Sequence, residues 1–429
     1  MKDNKINLDL SSLSKQQAEV VEAFCEGKNL FVTGGAGSGK SYLLNFLKRN
    51  FSQYGLEITA STGIAAVNIG GSTIHSWAGI GLANMPVEQI IENIFSAKLS
   101  RVRRKIIQAK ALAIDEISMI ASDTLEIIDQ VLRAVRQNDA PMGGLQILFF
   151  GDFLQLPPIK RNEQNIDFSF QSKTWRSLDL KVFKLEEIFR QKDQKFINVL
   201  NNLRFGKITA DDRKALESRI NARDENLAIR PTILTTHNAK VEKINETELK
   251  KIPQLEMAAQ AEYFGDVYKV EFLKKNCIAS DILRLKVGAQ VMMIKNTYQK
   301  EGIINGSLGI IKDFSAKKNY PLVEFANGKI ITISPEEWLI ERFDEVTKTM
   351  KTEAGVKQIP LILAWAMTIH KSQGLTLDKI SCDLSDIFSP GQAYVALSRA
   401  RSLEGIFIES INFDRISANQ DATKYYENL

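Results

Sequence analysis

The sequence predicts an α/β protein with two parallel-sheet domains, the second interrupted by a small β insertion. Three observations predict it. Short apolar runs ending in glycine or polar residues alternate with helical patterns through the first half. The same texture reappears at 231–236 and again after residue 359. Between about 284 and 333 it gives way to short alternating strands separated by turn signals such as Asn305-Gly306 and Asn327-Gly328. A chain of 429 residues is also too long for one ordinary core.

The first-half strands are expected at 29–33, 56–60, 111–114 and 145–150, with helices at 42–51 and 123–135. The apolar strands imply a sheet covered on both faces, and ligands of such sheets collect at the carboxyl ends of the strands. The polar stretch 344–357 reads as a mobile connector. The expected boundaries are 1–183 for the first domain, 184–283 and 359–429 for the second, and 284–358 for the insertion.

Composition excludes several classes. Apolar residues make up 44% and charged residues 25%, the balance of a globular chain. No run approaches the roughly 18 apolar residues of a membrane span, and the N-terminus has neither a signal-peptide core nor an Arg-rich transit pattern. A cytoplasmic, nucleoid-associated protein with no membrane partner is expected. The net charge of +5 is compatible with an anionic partner without requiring one. Cys25, Cys277 and Cys382 are widely spaced and form no CxxC pair, which points to small buried hydrophobes.

The strongest motif follows the first strand. Gly34, Gly35, Ala36, Gly37, Ser38, Gly39, Lys40 and Ser41 fit GxxxxGK[ST], and a helical pattern comes next. Such a loop curls so that successive N–H groups face phosphate oxygens at a helix N-terminus. Lys40 would contact the β- and γ-phosphates of ATP, and the Ser41 hydroxyl would hold Mg²⁺. Asp115 ends the third strand and is the natural Mg²⁺ anchor, with Glu116 placed to polarise the attacking water. An Asp-Glu pair alone is usually a solvated turn; its company with a phosphate loop gives it meaning. Arg190 and Arg399 are candidates to stabilise transition-state charge, although either alone reads as a surface ion-pair residue.

The ordered series GGAGSGKS, TASTGIAA, GSTIHSW, IDEISM, GDFLQLPP, LEEIFRQ, AMTIHKSQG and GQAYVALSRA resembles superfamily 1 helicases. It is similar in particular to the petite-integration-frequency (Pif) helicases of the 5′-to-3′ branch. The motifs run from Leu13 to Arg401. The resemblance implies two RecA-like P-loop domains with ATP between them, a wedge element at about 77–102 and an SH3-like barrel as the β insertion. It also implies that Gln17 reads the adenine edge, Gln155 senses the γ-phosphate, Arg190 and Arg399 act across the cleft, and Gly374 lies beside the nucleotide.

The implied substrates are single-stranded DNA and duplex or forked DNA, including G-quadruplexes, in replication, repair, recombination or telomere maintenance. A monomer in solution, with a possible dimer on DNA, is expected. The strand-binding candidates are Thr62, Gly63, His75, Ser76, Trp77, Phe153, Thr236, His237, Asn238, His370, Lys371, Ser372 and Gln373. Histidines are more often structural than ligands, but all three here lie in polar clusters at strand ends. Their Ser, Thr, Asn and Lys neighbours suit phosphate oxygens, as a motor indifferent to sequence requires. Trp77 and Phe153 are candidates for base stacking, with plain core packing the alternative for Phe153. Competing readings are a catalytically silent DNA-binding protein, a RecD-like translocase subunit and an RNA helicase. A DEAD or DEAH signature is absent.

Overall fold

The computed structural model describes residues 8–81, 83, 85–158, 167–222, 229–344, 347 and 349–429. The chain divides into two compact units. The first comprises Met1–Glu187, Leu339–Glu353 and Tyr426–Leu429; the second comprises Ile188–Trp338 and Ala354–Tyr425.

The first unit is built on six parallel strands: β1 (Leu30–Gly34), β2 (Leu56–Ala60), β3 (Ser72–Thr73), β4 (Ala111–Asp115), β5 (Gln146–Phe150) and β6 (Lys181–Leu185). Their order is β3-β2-β4-β5-β1-β6. β1 and β4 are buried at every position, as the apolar runs LFVTG and ALAID require of strands covered on both faces. The helix Ser122–Arg136 packs Leu125, Ile128, Val131, Leu132 and Val135 inward at helical spacing. Aromatic rings fill one side of the core, with Phe149 stacked on Trp175 at 4.9 Å and Phe31 set edge-on to the same indole at 5.0 Å. The expected wedge segment contains the helix Val87–Phe95 and the start of the helix Ser100–Gln108.

Strands of the second unit are β7 (Thr232–Thr235), β8 (Met257–Gln260), β9 (Glu262–Gly265), β10 (Ile282–Leu285), β11 (Gln290–Met293), β12 (Leu308–Phe314), β13 (Pro321–Phe325) and β14 (Ile330–Thr332). They continue as β15 (Glu336–Asp344) and β16 (Thr349–Gln358), whose outer parts group with the first unit, then β17 (Leu361–Leu363), β18 (Ala366–Thr368), β19 (Ile380–Leu384) and β20 (Ile406–Ile411). A parallel sheet of order β18-β7-β19-β20 forms the α/β part.

The β insertion contains an antiparallel sheet of order β14-β13-β12-β11-β17, accompanied by β10-β8 and β15-β16-β9. Ahead of residue 284, β8 pairs with β10, and Met257 joins the same core as Leu285, Val291, Val323 and Leu361. The stretch expected as a connector, 344–357, is largely strand β16. Its residues 354–357 pair with β9, while Thr349, Lys351 and Thr352 are exposed, so polarity there marks a solvated stretch of strand.

Candidate nucleotide site and DNA-facing strand ends

The phosphate loop sits between β1 and the helix Lys40–Phe51. Gly34 is required by close approach: a Cβ there would meet Leu185 O at 2.6 Å and Ser38 Oγ at 2.7 Å. Gly39 caps the helix with φ +84°, a left-handed conformation that costs glycine little. Lys40 Nζ donates to Gly34 O at 2.6 Å and Gly35 O at 3.1 Å, so its ammonium is folded over the loop that it would serve. Ala36 and Ser38 are buried, Gly37 has φ +84°, and the Ser41 side chain is exposed at the first turn.

Gln17 is the third residue of the helix Lys15–Cys25. Its Oε1 accepts from Ser14 N at 3.0 Å while Ser14 Oγ accepts from Gln17 N at 3.3 Å, a reciprocal cap. Its Nε2 donates to Gly39 O at 3.4 Å, so the amide expected to read adenine also braces the phosphate loop.

Asp115 and Glu116 follow β4. Burial first, and the Glu116 charge second, push the Asp115 carboxyl up to about 7, while the Glu116 N–H and Lys40 pull it down. Glu116 N donates to Asp115 Oδ1 at 2.9 Å. Glu116 itself holds φ +52°, ψ +44°, an uncommon conformation for a non-glycine residue and a frequent mark of a functional turn.

Beyond β5, Gln155 Nε2 donates to Asp152 Oδ2 at 3.3 Å, and both residues are buried. Asp152, which the sequence reading did not single out, thus orients the expected γ-phosphate sensor. Two more such residues emerge. Lys48, on the phosphate-loop helix, donates to Ile69 O at 2.6 Å and Gly70 O at 3.1 Å, holding the turn that leads to His75. Burial lowers its ammonium pKa, and Glu341 opposes that shift. Tyr426 bonds Thr33 and Phe153 from the far end of the chain. Neither a lone helix lysine nor an isolated tyrosine carries a motif.

The strand-binding candidates emerge from paired strands. β2 and β3 are parallel neighbours, with Ala60 opposite Thr73, so Thr62 and His75 leave the same sheet edge. In the second unit Thr368 lies opposite Thr235, which sends His370 and His237 off one edge in the same way. Thr62 Oγ1 caps the helix Gly63–Asn68 by accepting from Ala65 N at 3.3 Å. Thr236 Oγ1 lies 2.8 Å from His237 Nδ1; His237, Asn238, Ser76 and Lys371 are exposed. Burial pushes His75 and His370 below the ordinary imidazole value, which favours the neutral ring.

Three candidates are corrected. Trp77 is 2% exposed and its indole N–H donates to Glu57 Oε2 at 3.1 Å, so it packs in the core and offers no stacking face. Phe153 is wholly buried among Phe31, Phe168, Phe170 and Trp175, the nearest ring centre 4.9 Å away. Ser372 is wholly buried, its Oγ donating to Ile369 O at 2.7 Å and its carbonyl accepting from Arg399 Nη1 at 3.3 Å. Aromatic and hydroxyl types suit both DNA and core, and only packing distinguishes the two. Gln373 keeps a partly buried side chain beside Gly374, whose φ is +78°.

The arginines of the second unit are knotted together. Arg190 Nη1 donates to Ser398 O at 3.0 Å, and Gln191 Nε2 donates to Ser398 O and Ala400 O at 3.2 and 2.8 Å. Arg399 donates from Nε to Val395 O at 2.9 Å and from Nη2 to Ser398 Oγ at 2.9 Å. Burial, then the charge of Arg399, lowers the Arg190 pKa.

The PIF1-like helicase family matches residues 12–214, and the 2B domain of DNA helicase Pif1 matches residues 270–314. The "ATP-dependent DNA helicase Pif1" of Bdellovibrio bacteriovorus is 35% identical over 415 residues, covering 97% of this chain and 92% of that protein. The chain belongs to the PIF1-like helicase family. The Danio rerio "ATP-dependent DNA helicase PIF1" is 39% identical over 422 residues, 97% of this chain; the PIF1-like chain spans 64% of the length of that relative. The crystal structure of Bacteroides Pif1 helicase in complex with ADP-AlF3 and single-stranded DNA superposes with a TM-score of 0.65 at 34% identity, covering 97% of this chain and 96% of that one. These relationships agree with a two-part α/β architecture of the RecA-like kind.

Proposed function

We propose that this PIF1-like protein is an ATP-dependent DNA helicase that moves 5′ to 3′ along single-stranded DNA and separates forked duplexes. The observation that carries the reading is a shared backbone bond. Ser61 N donates to the carbonyl of Asp115 at 3.0 Å, and Thr62, a strand-binding candidate, is the next residue. A change in phosphate occupancy at the β4 end is therefore one peptide away from a group that would grip DNA. The Bacteroides relative crystallised with ADP-AlF3 and single-stranded DNA supports the same pairing of ligands.

Lys40 would leave its loop carbonyls for the β- and γ-phosphates, and Glu116 would orient and deprotonate the attacking water. The oxygen donors of Asp115 and Ser41 fit Mg²⁺, a hard cation that takes one or two protein ligands beside nucleotide phosphates. Bound there, Mg²⁺ would neutralise phosphate charge, and the carboxyl of Asp115, raised by burial, is of the kind that a cation restores to its ionised form. Gln155, braced by Asp152, would register the γ-phosphate. Arg190 and Arg399 would supply the charge that the transition state needs, and its loss after hydrolysis would release them. Thr62, His75, His237 and His370 would hold backbone phosphates, consistent with a grip indifferent to base sequence.

The test is unwinding of matched duplexes bearing a 5′ tail or a 3′ tail, with hydrolysis followed in parallel. DNA-stimulated hydrolysis, unwinding of the 5′-tailed duplex alone, and a loss on the order of 10²–10³-fold in Lys40→Ala are expected. Activity confined to the 3′-tailed substrate overturns the polarity. Hydrolysis without unwinding of either duplex reduces the protein to a translocase.

A further inference from the structure

The side chain of Tyr426 has no place in any motif, yet its hydroxyl lies beneath the nucleotide site. Tyr426 is in the helix Gln420–Glu427 and packs with the first unit, 7% exposed. Its phenol oxygen is 2.5 Å from Thr33 Oγ1 and accepts from Phe153 N at 3.2 Å. Thr33 is 1% exposed and is the last residue before Gly34, whose carbonyl holds the Lys40 ammonium. Phe153 stands between Asp152 and the turn that carries Gln155. One hydroxyl therefore ties the end of β1 to the turn that follows the adjacent parallel strand β5, each leading into a group assigned to ATP chemistry.

We propose that Tyr426 is a positioning residue for ATP hydrolysis, setting the phosphate loop against the Asp152–Gln155 turn. The inference rests on the ATPase reading above. The phenol suits the task because one oxygen can accept from the Phe153 N–H and still donate to the threonine hydroxyl. Phe153 cannot shift independently, since its ring is packed among four others. Movement of the turn that carries Gln155 is thus referred to the strand that carries the phosphate loop. ATP binding would depend mainly on the loop N–H groups and Lys40, whereas the Tyr426 hydroxyl bonds Thr33 and Phe153. Alignment of the sensor matters most when charge redistributes during bond cleavage. The effect should therefore appear in kcat and spare KM.

The test is steady-state hydrolysis by the full chain with saturating single-stranded DNA, comparing wild type, Tyr426→Phe, Thr33→Val and the double variant. Tyr426→Phe keeps the packed ring and removes only the hydroxyl. It should lower kcat about three- to tenfold, the scale of one hydrogen bond, with KM for ATP within twofold. Thr33→Val, which removes the same bond from the other side, should lower kcat similarly, and the double variant should be little worse than either. Failure of wild type to hydrolyse ATP overturns the function and this role together. Hydrolysis by wild type with unchanged kcat in both single variants overturns this role alone, as does a loss confined to KM or fully additive effects in the double variant.

Discussion

The cationic groups expected to serve ATP are prepared in opposite ways in the two units. Lys40 lies within electrostatic reach of Asp115, whose carboxyl it pulls down, and its ammonium rests on loop carbonyls. Burial first, and then the charges of Arg399 and Arg401, lower the Arg190 pKa, and it donates to a neutral carbonyl. Arg401 is itself engaged by Asp378 at 3.0 Å. One group is positive charge near acid; the other is positive charge near positive charge. The difference teaches that the first unit sets its lysine near an acid, a setting in which, under the proposed function, Lys40 would hold phosphate in the ground state. The arginine cluster gains most when an anion approaches, which is the property wanted of groups that respond to a transition state.

The sharpest way to break this comparison is Arg399→Ala. It should reduce kcat for ATP hydrolysis by about 10³–10⁵-fold, with nucleotide affinity within a few fold in equilibrium titration. Arg399→Lys should not restore it, because an ammonium cannot reproduce the forked donors now aimed at Val395, Ser398 and Ser372. A loss in affinity alone would place Arg399 on the ground-state side with Lys40.

A smaller effect tests the acidic side. Burial, and then the Glu116 charge, push the Asp115 carboxyl up to about 7 from an ordinary 3.8, so the folded state binds this proton more tightly than the unfolded chain. The stabilisation is fully present below the unfolded value and is lost as pH rises through about 7. Asp115→Asn, always neutral, should therefore melt above wild type at pH 8 without nucleotide or Mg²⁺, and the gap should narrow as pH falls to 5. A gap in calorimetry that does not change with pH would show that burial of charge is not what separates this side from the arginines.

The smallest effect concerns Trp77. Trp77→Phe removes the bond to Glu57 and keeps an aromatic core, so it should cost about 1 kcal/mol of stability by denaturant titration. Its affinity for single-stranded DNA should be unchanged in a binding titration. Weakened binding would return the indole to the DNA-facing group.

Much of this was legible beforehand. Leu30–Gly34 and Ala111–Asp115 read as buried strands, and their polar ends locate Lys40, Asp115 and Glu116. The sequence reading failed where one residue type serves two environments. Trp77 and Ser372 are next to the exposed Ser76 and Lys371, and Phe153 is next to the buried Asp152, yet all three side chains turn into the core. The polar run 344–357 has the composition of a connector, but much of its main chain is strand β16, bonded to β15 and β9. Tyr426 and Lys48 were invisible for another reason: each acts on carbonyls, hydroxyls or amides of residues remote in sequence.

The order of motifs along the chain determined by itself the class of fold, the phosphate loop and the membership of a family, because glycine spacing and apolar periodicity are local properties. Tertiary structure alone decided which motif side chains are available, which arginine leans on which carbonyl, and which distant hydroxyl ties two strands together. Those outcomes depend on which groups the folded chain leaves next to one another and without water, and local sequence does not encode that neighbourhood.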